Sequence, residues 1–244
     1  MMKLLFVSLL TCLLCTGGAW AAEGDYLIKD GNVYRMDEGK EKRLDEDVHS
    51  IITDKGVYSW ILVDPNLSEA MKDSEAGIYF FKGEENSPAG FIPMDNAGLC
   101  QIEFSPSGEK LTVGCGSEAK QNLGVYVIAE AGKELSKKAS FQSAGHVWWV
   151  DPHRFVFNVI DESKGARNMA KDEWWNSVAL YDSVEGELII IKKATETQDY
   201  FCNGFNEDKG TLDAIERSVK NKKDWDNEKK IKTTDLTLSI PAAG

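Results

Sequence analysis

A chain of 244 residues with 40 acidic and 28 basic side chains carries a formal net charge of −12 at pH 7. That balance argues against a nucleic-acid partner, which would call for a basic face, and against docking on anionic membrane surfaces. Glycine is plentiful, aromatic residues make up 10% of the chain, and no stretch sustains the period of a long helix, so an all-β fold is expected.

Residues 1–21 have the form of a signal peptide. Lys3 is the only charge, Leu4 to Leu14 form a short apolar run, and Ala19-Trp20-Ala21 fits the small-x-small cleavage rule. The mature chain is expected to begin at Ala22 and to be periplasmic or secreted. Lipidation would need a small residue before the modified cysteine, but Leu14 precedes Cys15 and Thr11 precedes Cys12. No later segment approaches the roughly 20 apolar residues of a spanning helix, so no transmembrane segment is expected after processing. No linker-like stretch divides residues 22–244, which are taken as a single domain.

Within that domain one pattern recurs: an apolar strand, a tight turn and a second strand. It is seen in His49–Val63, Cys100–Cys115, His146–Ile160 and Tyr200–Val219, with turn chemistry at Asp54-Lys55-Gly56, Ser105-Pro106-Ser107-Gly108, Asp151-Pro152-His153 and Asn206–Gly210. In the second copy Phe104 opposite Leu111 also sets Ile102 against Val113 and Cys100 against Cys115, all on one face. In an oxidising compartment Cys100 and Cys115 are therefore the expected disulfide, leaving Cys202 as a small buried hydrophobe.

Third strands align on Tyr34, Tyr79, Tyr126, Ala179 and Leu236, roughly 50 residues apart, and fourth strands follow at Gly39–Leu44, Gly132–Leu135 and Gly186–Ile191. Leu212, Ile215 and Val219 also fit a helix face, so a short helix over 211–223 competes with a strand there. Four short strands at this interval are the signature of propeller blades. The first repeat has no room for an innermost strand and the last lacks an outermost one. Five blades with incomplete terminal blades are expected, or four if the N-terminal strands complete the last blade.

Phe104-Ser-Pro-Ser-Gly-Glu-Lys-Leu111 followed by Gly124-Val-Tyr-Val-Ile128 resembles the repeat of TolB-like (WD40-like) β-propellers, whose usual form is F-S-P-D-G-x-x-L and then a strand containing Tyr. Phe205–Leu212 followed by Thr234–Leu238 is a degraded copy. The resemblance implies a propeller fold and leaves the activity open, since such repeats serve in scaffolds, peptidases and sugar-binding proteins.

Chemistry-bearing patterns are sparse. His49 and His146 begin equivalent first strands, but no metal-ligand spacing surrounds them, and His153 sits at a turn tip. Asp45-Glu46-Asp47, Asp161-Glu162 and Asp224–Glu228 fit solvated faces better than a calcium loop. There is no G-x-S-x-G, no H-E-x-x-H and no phosphate-cradling glycine loop, so neither a catalytic residue nor a cofactor is assigned. Trp148 and Trp149 adjoin in one strand and must point to opposite faces. Two insertions, 161–176 and 220–232, carry Trp174, Trp175 and Trp225 at equivalent second-to-third-strand positions. These three rings are the candidate binding residues: packed inward they cap the blades, and exposed they form one aromatic patch for an unidentified protein partner, for instance an envelope component. The expected function is thus a binding or scaffolding module. The alternative is a glycan-directed hydrolase or sugar-binding protein using carboxylates at the propeller channel.

Overall fold

A computed structural model describes residues 26–29, 32–37, 40–43, 49–53, 56–63, 75–82, 90–94, 100–128, 135–168, 171 and 173–242. The signal segment 1–21 and its cleavage point, the 45–47 acidic cluster, the Asp54-Lys55 turn and the Gly132–Glu134 start of a fourth strand lie outside the described residues.

The chain forms antiparallel sheets in which each strand pairs with its neighbour in sequence. The first has β1 (Tyr26–Lys29), β2 (Asn32–Asp37) and β3 (Lys40–Arg43). The second has β4 (His49–Thr53), β5 (Gly56–Val63), β6 (Gly77–Lys82) and β7 (Gly90–Pro93). A 7-stranded sheet follows: β8 (Cys100–Phe104), β9 (Lys110–Ser117), β10 (Lys120–Ile128), β11 (Leu135–Trp149), β12 (Arg154–Ile160), β13 (Asn176–Asp182) and β14 (Glu187–Lys192). The last has β15 (Gln198–Asn206), β16 (Thr211–Ser218) and β17 (Lys232–Ser239). Thr211–Ser218 is a strand, so the competing helix over 211–223 is not formed. Among the described residues no helix is long and apolar enough to cross a membrane.

The hairpin around residues 100–115 has the expected register: Phe104↔Leu111, Ile102↔Val113 and Cys100↔Cys115 are Cα partners, and the two cysteines are disulfide-bonded. Its turn closes when Gly108 N donates to Ser105 O at 2.9 Å, with Gly108 at φ 69. Ser105 Oγ accepts from Lys110 N at 3.1 Å. A residue bearing a Cβ would be strained in that left-handed conformation, which glycine adopts freely.

Strand β11 makes two meanders into one sheet. Its first half pairs with β10, from Ile128↔Leu135 to Gln121↔Ser143, and its second half pairs with β12, from Ser143↔Val159 to Trp149↔Phe155. Between them the register shifts from Ala144 to Val147, and Gly145 takes φ 66. One strand is thus outermost in one meander and innermost in the next. Apart from Gly145, the sequence Ser136–His146 contains no turn signal between these roles, in keeping with a strand that shifts register there without ending.

The meanders stack face to face through three apolar layers. Ile78, Phe80 and Ile92 meet Phe104, Leu111 and Val113 in the first. Leu123 and Val125 meet Phe155, Phe157, Ala179 and Tyr181 in the second. Val156, Val178 and Leu180 meet Tyr200, Leu212, Ala214 and Leu238 in the third. Alternate residues of β12 and β13 therefore enter different layers, which is why Phe155-Val-Phe157 is apolar without a break. Trp149 joins the second layer and Trp148 the third, on opposite faces as expected. Polar ties cross the layers as well. The buried Asn158 amide donates to Tyr200 O and accepts from Cys202 N, each at 2.8 Å, and Trp149 Nε1 donates to Glu103 O at 3.2 Å. Successive antiparallel meanders stacked on their faces make a propeller-like all-β architecture.

Candidate functional site

Antiparallel pairing sends the tight turns at 105–109, 150–153, 183–186 and 207–210 to one end of the sheets. The longer connections 161–175, 193–197 and 219–231 go to the other end, where they pack together into a continuous face.

Inside that face is a small apolar cluster of Trp175, Ala194, Val219 and Trp225 with Ile231 against it. The rings of Trp175 and Trp225 meet edge to face, centroids 5.9 Å apart. The two insertions are brought side by side, as their positions predicted, but these two rings form the interior of the face: Trp175 is 4% and Trp225 6% exposed. Trp225 Nε1 donates to Glu196 O at 2.9 Å, so its one polar atom is satisfied within the face. Trp174 alone of the three is half-exposed, with Lys120 Nζ 4.0 Å from its ring centroid.

Charged residues buried beside the tryptophans complete the interior. Asp199, 0% exposed at the start of β15, accepts from Asn176 N at 2.7 Å and from Arg217 Nη2 at 2.8 Å. Burial pushes its carboxyl above the usual range, against the pull of Arg217, Asn176 and Arg167. Arg167, from the 161–175 loop, lies 3.2 Å from Glu173 and 3.8 Å from Asp199. Its guanidinium carbon stands 4.3 Å from the Trp225 ring centroid, a cation–π contact. Among the described residues the guanidinium nitrogens make no hydrogen bond, so the side chain is held by charge and stacking, while Arg167 N donates to Glu173 O at 2.7 Å. Burial and the neighbouring Arg217 depress its pKa.

Around this interior runs an exposed rim of opposite charges: Lys120–Glu162 at 2.7 Å, Lys222–Glu196 at 2.9 Å and Lys171–Glu228 at 3.6 Å. Each such pair contributes about 0–1 kcal/mol, and each can be exchanged for a partner's charges at little cost. The face thus has a firm, buried interior under a polar, solvent-exposed rim.

Asp199, Arg167, Arg217 and Glu173 were not singled out in the sequence. Arg167 and Glu173 share one loop, but Asp199 and Arg217 come from later strands, and no motif joins the four. The one available signal was an acid between glutamine and tyrosine where the strand pattern wants apolar residues. His153, read as a solvated turn tip, is exposed but accepts from Lys110 Nζ at 2.6 Å through Nδ1. Burial lowers the pKa of Lys110. On β8, the Glu103 carboxyl is raised by burial while His146 pulls it down. Cys202 packs against the third layer, and burial pushes its thiol up to about 12.

Fold and face together define an all-β, propeller-like protein with one built-up loop surface. No family model and no curated protein matches the chain. Among solved structures it is similar to hydrazine synthase from Kuenenia stuttgartiensis (14% identity, TM-score 0.43) over 86% of this chain and 57% of that one. It is similar to TolB from Acinetobacter baumannii (11%, 0.43) over 87% and 49%, and to a prolyl endopeptidase (13%, 0.49) over 80% and 30%. The chain spans less than two thirds of each of these.

Proposed function

We propose that this protein is an exported β-propeller of five blades that acts as a protein-binding or scaffolding module, with the long-loop face as its docking surface. The first and last sheets, three strands each, are the incomplete terminal blades, and their pairing across the ring would cover sheet edges. The observation that carries the reading is the pairing of Trp175 with Trp225 under an exposed rim of ion pairs. It turns two insertions into a firm interior bearing Trp174, Lys171 and Glu228 on its surface. A preformed surface of this kind keeps the ordering cost of binding low.

The test compares proteins retained from an envelope extract by the wild-type chain and by a triple variant, Trp174→Ala, Lys171→Glu and Glu228→Lys. All three side chains stand outside the buried interior, so the variant is expected to fold normally and to lose one specific retained protein. Equal retention by both would remove the loop face from the account.

A further inference from the structure

Apart from the loop face, β14 stands out among the outer strands. It ends its sheet, and no strand lies beyond it among the described residues. Other outer strands carry features that discourage pairing: Lys40-Glu-Lys-Arg43 in β3, Pro93 in β7, exposed Lys137-Lys138 in β11 and the mostly exposed Lys-Thr-Thr-Asp of β17. Strand β14 reads Glu-Leu-Ile-Ile-Ile-Lys. The exposed large hydrophobics among the described residues, Val184 at 63%, Leu188 at 36% and Ile190 at 42%, all lie on this strand or the turn before it.

Beside it, an open groove of ≈ 750 Å³ runs between the 150–153 and 183–186 turns, with Glu187 and Ile189 of β14 in its wall. Asp182, Glu185 and Glu187 line it as well, and no ion pair engages any of them among the described residues. Of the nearby cations, Arg154 binds Asp151 at 2.6 Å and Pro241 O at 2.8 Å, and Lys110 faces His153 while its charge acts on Asp182, which leaves Glu185 and Glu187 as the carboxylates open to a partner. The two faces of β14 therefore differ, with Leu188 and Ile190 apolar on one and Glu187 beside the acidic groove on the other.

We propose that β14 is a docking edge for an extended segment of a partner protein in which apolar and basic residues alternate. The segment adds as a further antiparallel or parallel strand through main-chain hydrogen bonds. Its apolar side chains cover Leu188 and Ile190, and its lysines or arginines enter the groove beside Glu187 and Glu185. A second copy of this chain is the poorer occupant, because it would bring together two chains of net charge −12, each with an acidic groove beside the strand. The site is separate from the long-loop face, and each can fail without the other.

Three labelled nine-residue peptides test it by fluorescence anisotropy with the full chain. One alternates valine and lysine, one is the same peptide N-methylated at alternate residues, and one replaces lysine with glutamate. The valine–lysine peptide is expected to bind, with the other two weaker by about tenfold or more. Ile190→Ser and Glu187→Gln, both at exposed positions, should each weaken it and leave thermal unfolding unchanged. Binding that survives N-methylation, or that ignores both substitutions, would reduce the attraction to bulk charge and overturn the proposal. So would a dimer of the unliganded chain that Ile190→Ser dissociates, since the occupant would then be a second copy.

Discussion

The indoles of Trp175 and Trp225, on separate loops, meet edge to face with centroids 5.9 Å apart and are both buried. Removing either leaves a cavity lined by Ala194 and Val219. Trp225→Ala is expected to cost about 3–5 kcal/mol, the range for truncating a buried aromatic ring. Trp174→Ala should cost about 1 kcal/mol or less, since the ring is half-exposed and its contact with Lys120 is of that order. Urea denaturation of the two variants checks the difference. Equal losses would mean that the three rings are not divided between interior and surface.

Asp199 and Glu196 illustrate how burial sets the worth of a charge. Asp199→Ala strands Arg217 and Arg167 and deprives Asn176 N of its acceptor, a loss of about 3–5 kcal/mol. Glu196→Ala removes an exposed partner of Lys222 and should leave the unfolding midpoint unchanged. Both midpoints are read in one urea series.

Lys110 gives the fold a pH dependence on the alkaline side. Its pKa is lowered by burial, so below the unfolded value of 10.5 the unfolded chain binds more protons than the native one. Stability must therefore rise with pH in the window between the lowered value and 10.5. Measured against Lys110→Met, wild type should gain stability as pH rises towards 10.5. A difference that stays flat, or that falls, would contradict the burial of this ammonium beside His153.

Thiol chemistry should report the sulfur assignments. With Cys100 and Cys115 bridged, a chain expressed from Ala22 onwards has one thiol, Cys202. Its pKa of about 12 keeps it protonated, so a thiol reagent should be nearly inert towards the native protein and should titrate one group in denaturant. Three groups in denaturant, without reductant, would remove the disulfide.

Local regularities made much of the fold legible. The period-2 alternation on both sides of Ser105–Gly108 gave the register of β8 and β9, and the opposed cysteines followed from it. The strand–turn pattern also placed β12, β13, β15 and β16. The continuity of β11 was harder to see, because one strand serves two meanders and only Gly145 marks the change of role. The site was legible in position but not in orientation. Insertions at equivalent places predict neighbouring loops, whereas the side on which an indole lands depends on partners such as Arg167 and Glu196 from other segments. The Asp199 cluster was invisible for the same reason.

In-cell photo-crosslinking tests the proposed docking role of the loop face most directly. A photoreactive residue replaces Lys171 or Glu228 on that face, or Asp208 in the 207–210 turn at the other end of the sheets. If the face docks a protein partner, positions 171 and 228 give the same discrete adduct and position 208 gives none. The proposal is contradicted if 171 and 228 give no adduct, or if 208 gives the same one.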